Sequence, residues 1–162
     1  MIQNRMRRSI YTTIGALMLL GGSFLVTNSQ TVTGTIAKGE VSKGRKAKAT
    51  VVLDIPHDLH TNSNKPGSEY AIPTTVRFIN PPMGVKIGAV VYPRGMNKKF
   101  EFSEKALNIY EGKVEFTFDV TVPTSYRKPK IEIEVSVRYQ ACTNEVCYPP
   151  TSKKATLVAN VR

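Results

Sequence analysis

The chain has two cysteines, Cys142 and Cys147, and both lie in the stretch YQACTNEVCYPP from Tyr139 to Pro150. A thiolate attacks a disulfide sulfur in line. Exchange therefore needs one accessible sulfur and a second thiol close enough to resolve the mixed disulfide. Two cysteines separated by the turn-forming residues TNEV meet both needs, because a hairpin of that length brings their α-carbons to about 5 Å. The competing use is a structural staple. Closing so short a loop stabilises by only roughly 2 kcal/mol on the loop-length model. A staple in a β-sandwich does more when it joins two sheets across a long loop. The residues alone weigh toward exchange and leave the staple standing.

Around the pair, Tyr139 continues an apolar face and belongs to a core. Tyr148 is placed to shield Cys147 or to meet a partner. Pro149 and Pro150 lack backbone donors, so they end strand pairing and stiffen the exit from Cys147. His57 and His60, the only histidines, could join the cysteines with Met83 and Met96 in a soft copper site. His-x-x-His beside a proline is thin support for that, and packed or surface histidines are the simpler reading. The leading expectation is no metal and no cofactor. There is no Ser-His-Asp set, no glycine-rich phosphate loop and no usable carboxylate pair, which removes a hydrolase from consideration.

The elements that must position the cysteines have a period of two. In KVEFTFDVTV, Val114, Phe116, Phe118, Val120 and Val122 alternate with polar residues. In IEIEVSVRY, Ile131, Ile133, Val135, Val137 and Tyr139 do the same. KATLVANV and KAKATVVL follow suit, and all four read as half-buried strands. Further strands are expected over Tyr70–Ile79 and Val85–Tyr92, with long loops over Ile55–Tyr70 and Tyr92–Gly112. No stretch carries a helical stripe. The expected fold is all-β, an antiparallel β-sandwich of immunoglobulin type. Continuing the alternation past Tyr139 turns Gln140 outward, Ala141 inward and Cys142 outward, so the pattern predicts an accessible Cys142 sulfur.

At the N-terminus, Arg5, Arg7 and Arg8 precede an uncharged apolar run from Ile10 to Val26, which ends in TNSQ. This is the layout of a secretory signal peptide over residues 1–29, with an uncleaved anchor as the alternative. The remainder, residues 30–162, is enough for one domain. That part carries 20 of the 23 basic residues and all 12 acidic ones, a net charge of about +8. For an exported protein this charge reads as a solvated surface and not a nucleic-acid interface. Export also allows disulfides to persist.

VRYQACTNEVCYPPTSK resembles the signature of the N-terminal periplasmic domain family of the thiol:disulfide interchange proteins. PHDLHTNSNKP, IPTTV, VVYP and IYEGKVEF follow the family's order, so the likeness covers most of Ile55–Thr156. The resemblance implies an immunoglobulin-like sandwich that relays reducing equivalents in the periplasm. It implies that Cys147 forms the mixed disulfide and that Cys142 resolves it. Donors would be a thioredoxin-like domain and a membrane electron conduit. Acceptors would be a disulfide isomerase or a cytochrome c maturation protein. Membrane contact would come only through an uncleaved signal. Full-length relatives continue into a conduit and a thioredoxin domain that this sequence lacks, so either separate proteins supply the electrons or the domain has taken on another task. The family also shields its cysteines with a cap loop. Here the region Tyr92–Phe102 corresponds, with Tyr92 and Phe100 as aromatic lid candidates. The other readings are an exported binding module with a structural hairpin disulfide, and a copper-binding domain.

Overall fold

The computed structural model describes residues 29–162. The export signal expected over residues 1–29 lies, up to residue 28, outside them. Twelve strands follow in order: β1 (Thr31–Ile36), β2 (Glu40–Val41), β3 (Lys46–Asp54), β4 (His60–Asn62), β5 (Thr75–Ile79), β6 (Lys86–Ile87), β7 (Met96–Lys98), β8 (Leu107–Tyr110), β9 (Lys113–Thr121), β10 (Lys130–Tyr139), β11 (Ala141–Cys142) and β12 (Thr151–Val161). The described residues contain no α-helix, and none of their helices is long and apolar enough to cross a membrane.

The long strands form where β-branched and aromatic residues alternate with polar ones, as expected of strands buried on one face. One sheet has the order β1-β3-β9-β6 and another β2-β12-β10-β5. Their inner faces share one core. Val51 of β3 lies opposite Phe116 of β9, while Ile133 of β10 lies opposite Leu157 of β12. All four side chains are fully buried. All pairings in these sheets are antiparallel except β2 with β12, so the architecture is an immunoglobulin-like β-sandwich. Gly34 of β1 is where the chain comes closest to that core. A Cβ there would stand 2.8 Å from Leu157 Cδ1 and 2.9 Å from the Thr50 carbonyl oxygen, so only glycine fits.

Two expected strands are shorter than their sequence pattern. Over Tyr70–Ile79 only Thr75–Ile79 pairs as a strand. Thr74 instead turns its amide to the Ser63 carbonyl at 3.1 Å, and its hydroxyl to the Asn62 carbonyl at 2.6 Å. Over Val85–Tyr92 the chain keeps beside β9 through Lys86–Ile87, Gly88 and a lone bridge at Val91. The two expected long loops are not structureless. They contribute β4, β7 and β8 to a third sheet, ordered β11-β4-β8-β7, that sits where β10 ends.

The opposite end of β10 carries a different character. Backbone bonds from Lys43 to the Arg162 carbonyl (2.9 Å), from Gly44 to Val122 (2.7 Å) and from Val161 to Pro129 (2.8 Å) gather three segments there. They bring Lys43, Arg45, Lys46, Lys128, Lys130 and Arg162 together. Asp119 and Glu40 pair with Lys46 and Arg162 respectively. Ten residues of strand, about 30 Å, separate this basic pole from the third sheet.

Phe116 is the hub of the aromatic core, edge-on to both Tyr92 (5.5 Å) and Tyr110 (6.0 Å). Phe116→Ala should cost about 3–5 kcal/mol in denaturant unfolding. Breaking the exposed Lys46–Asp119 pair with Lys46→Ala should cost under about 1 kcal/mol. Similar losses in the two variants would contradict this placement of the core.

Candidate functional site

β10 stops at Tyr139, and Gln140 leaves the ladder before β11 begins. Gln140 spends its amide on three neighbours. Its Oε1 accepts from Asn62 Nδ2 at 3.2 Å and from the Ile72 amide at 3.4 Å, and its Nε2 donates to the Tyr148 carbonyl at 3.2 Å. The chain then joins the third sheet, with Ala141 opposite Thr61 and Cys142 opposite His60.

A tight hairpin follows. The Thr143 amide donates to the Val146 carbonyl and the Tyr148 amide to the Ala141 carbonyl, each at 2.8 Å. The Thr143 hydroxyl closes the turn by accepting from the amides of Glu145 (3.2 Å) and Val146 (3.1 Å). Cys142 and Cys147 face each other between those two hydrogen-bonded pairs and are joined by a disulfide. Their α-carbons are 4.0 Å apart, the close approach of a non-hydrogen-bonded cross-strand pair.

The two sulfurs do not share an environment. Cys142 is fully buried, whereas Cys147 is exposed. This corrects the alternation, which turns Cys142 outward. The break at Gln140 resets the phase, and residues 141–142 pack into a different sheet, so Ala141 and Cys142 are both buried. Cys147 opens onto a groove of about 850 Å³ whose walls include Tyr70, Ala71, Phe102, Leu107 and Gln140.

His60, the ladder partner of Cys142, begins a stack of three rings. The Phe100 ring lies on His60 at 4.3 Å between centroids and 15° between planes, and Phe102 lies on Phe100 at 5.1 Å and 16°. Cross-strand partners project from the same sheet face, so this stack and the Cys142 side chain share a side. Phe100 and Phe102 belong to the segment between β7 and β8. Lys99 Nζ ties that segment by donating to the carbonyls of Ser103 and Glu104.

Of the two lid candidates, Phe100 is therefore in the stack and buried. Tyr92 is elsewhere: its hydroxyl accepts from the Val76 amide at 3.0 Å and its ring packs on Phe116, so it serves the main core. Tyr148 is half-exposed, and Pro149 and Pro150 are exposed on the way into β12. Gln140 and Phe102, which line the groove at Cys147, were not assigned by sequence reasoning, and His60 was weighed there only as a metal ligand. The glutamine of YQAC and the aromatic at Phe102, inside the cap region, were the available signals.

The proposed copper ligands are dispersed. His57 is exposed beside Asp58, Met83 and Met96 are exposed, and both sulfurs are bonded to each other. Among the described residues no three His, Cys, Asp or Glu side chains gather as a metal site. His60 is buried, its Nε2 has no hydrogen-bond partner, and burial holds its pKa below the usual histidine value. Lys98 adds to that lowering and Glu111 opposes it.

Two predictions follow from this geometry. Gln140→Ala unties the hairpin from Asn62 and Ile72. It should speed reduction of the disulfide by a small thiol and lower the melting temperature by an amount matching about 1–3 kcal/mol; an unchanged reduction rate would contradict the tether. Because His60 titrates lower in the folded chain than in the unfolded one, the unfolded state binds its proton first. Its contribution is therefore present above about pH 6.5 and lost as pH falls through the lowered folded value. His60→Gln should flatten that part of the stability–pH curve in urea titrations.

Among curated proteins no relative matches this chain. Solved structures that overlay on it include the three that follow. The N-terminal domain of DsbD from Neisseria meningitidis, in the reduced form, is 14% identical, with a TM-score of 0.45, covering 70% of this chain and 82% of that one. The N-terminal periplasmic domain of ScsB from Proteus mirabilis is 15% identical, with a TM-score of 0.49, covering 79% and 44%. The major pilin SpaD from Corynebacterium diphtheriae is 12% identical, with a TM-score of 0.40, covering 80% and 35%. At these values the overlays carry no weight, and membership rests on sequence. The family model described as "Thiol:disulfide interchange protein DsbD, N-terminal" matches residues 30–159, and this chain belongs to that family.

Proposed function

We propose that this domain relays reducing equivalents through the Cys142–Cys147 pair, with Cys147 as the partner-facing sulfur and Cys142 as the resolver. The observation that carries this reading is the asymmetry of exposure: one sulfur open to a groove, the other sealed. In-line attack on a disulfide requires an approach to one sulfur along the bond axis, with the other as leaving group. An incoming thiolate can reach Cys147, and Cys142 then departs into the interior.

The cycle balances. A donor thiolate attacks Cys147 Sγ, the Cys142–Cys147 bond breaks, and Cys142 leaves and takes a proton. The donor's second thiolate attacks its own sulfur in the mixed disulfide, leaving the donor oxidised and both domain cysteines reduced. Toward an acceptor the order reverses. The Cys147 thiolate attacks the acceptor disulfide, and Cys142 then attacks Cys147 Sγ. The acceptor departs as a dithiol and the hairpin disulfide reforms.

Donors on this reading are a thioredoxin-like domain fed by a membrane conduit, and acceptors are a disulfide isomerase or a cytochrome c maturation protein, in the periplasm. The aromatic stack of Phe100 and Phe102 caps the sealed sulfur, and Tyr148 and Pro149 border the exposed one.

Reduced Cys142→Ser, incubated with an acceptor in its disulfide form, should accumulate a mixed disulfide through Cys147 on a non-reducing gel, because the thiol that resolves it from the domain's side is missing. Cys147→Ser should form none. If neither variant forms an adduct and both merely melt earlier, the hairpin bond is a staple and the relay reading fails.

A further inference from the structure

His60 is the one histidine of the domain that is buried, and its Nε2 has no hydrogen-bond partner. An unpaired buried polar atom is costly, and natural structures rarely retain one without a use. The position of this one is informative. His60 sits directly opposite Cys142 in the β4–β11 ladder, which puts their Cβ atoms about 5 Å apart on one face. Phe100 clamps the ring from the other side at 4.3 Å. The sulfur facing it is held in a disulfide and so has no proton to donate.

We infer that His60 is the hydrogen-bond partner of the Cys142 sulfur in the reduced domain, so that breaking the disulfide supplies the ring nitrogen with the partner it lacks. This is a positioning role, and it rests on the exchange function proposed above. On reduction, two thiols of a donor become its disulfide, the Cys142–Cys147 bond breaks, and each cysteine sulfur gains one proton. The new Cys142 S–H donates to the neutral imidazole. A thiol in an apolar pocket would otherwise be as unsatisfied as the nitrogen is now. His60 thus favours the reduced state, because the dithiol form pairs an atom that the disulfide form leaves orphaned. The same contact presets Cys142 for the resolving step, because the imidazole can take its proton as the thiolate forms. The charged groups near the ring are Lys98 of β7 and Glu111 after β8, which pair with each other at 2.9 Å. Neither takes the place of the missing partner.

The test is the redox equilibrium of the full-length protein against dithiothreitol, which needs no protein partner. A failure of the relay reading and a failure of this one are therefore seen separately. His60→Phe keeps the stack on Phe100 but removes the nitrogen. It should shift the equilibrium toward the disulfide by about tenfold, roughly 30 mV for this two-electron couple. His60→Gln, which can still pair with a thiol, should stay near wild type. Melting temperatures of the two redox forms give a second readout, since His60→Phe should widen the gap between oxidised and reduced protein. Should the variants fail to fold, the ¹⁵N shifts of the His60 ring in wild type decide: reduction should move them to the values of a hydrogen-bonded imidazole. An unshifted equilibrium in His60→Phe, an equal shift in His60→Gln, or ring shifts indifferent to reduction would each overturn the inference.

Discussion

One discontinuity governs the site: the strand that crosses the sandwich core stops at Tyr139, and Gln140 hands the chain to another sheet. Had β10 run on, Cys142 would face solvent and the two sulfurs would be alike. Because it stops, Cys142 is fully buried while its partner, 4.0 Å away at the α-carbon, stays in contact with water. A symmetric molecule of cystine thereby gains a preferred direction of bond breaking.

The cost of the handover is polar. β4 reads His-Thr-Asn, and all three residues are buried. Part of that polarity is met, since Asn62 Nδ2 donates to Gln140 and the Thr74 hydroxyl bonds to Thr61 and to the Asn62 carbonyl. The neighbouring apolar cluster of Phe100, Leu107 and Ile109 is small and comes from β8 and the segment that precedes it. The third sheet is therefore held by specific bonds, whereas the sandwich is held by area.

That difference explains what the sequence disclosed. The alternation of Val114 to Val122 and of Ile131 to Tyr139 announces half-buried strands, and β9 and β10 lie where it places them. The Cys-to-Pro-Pro motif likewise located the hairpin. Hidden from pattern reasoning were the segments whose burial owes nothing to hydrophobicity. Thr61 and Asn62 look like loop residues until Gln140 and Thr74 are seen to bond with them, and His60 is buried with a ring nitrogen still unpaired. The phase of Cys142 was lost for the same reason, since a side-chain amide decided where β10 ends. Tyr92 and Phe100 are both aromatic and both lie in the cap region. Only the bond from the Val76 amide to the Tyr92 hydroxyl sends one ring to the core and leaves the other for the stack.

The basic pole has a consequence at long range. With Lys43, Arg45, Lys128 and Lys130 gathered at the start of β10, and Lys98 and Glu111 neutralising each other near its end, the molecule is an electric dipole. At about 0.15 M salt a screening length is near 8 Å, so a field arising about 30 Å away has faded before it reaches the sulfurs. The field of the basic pole is therefore confined to its own end of the sandwich, and the disulfide at the other end lies beyond its reach.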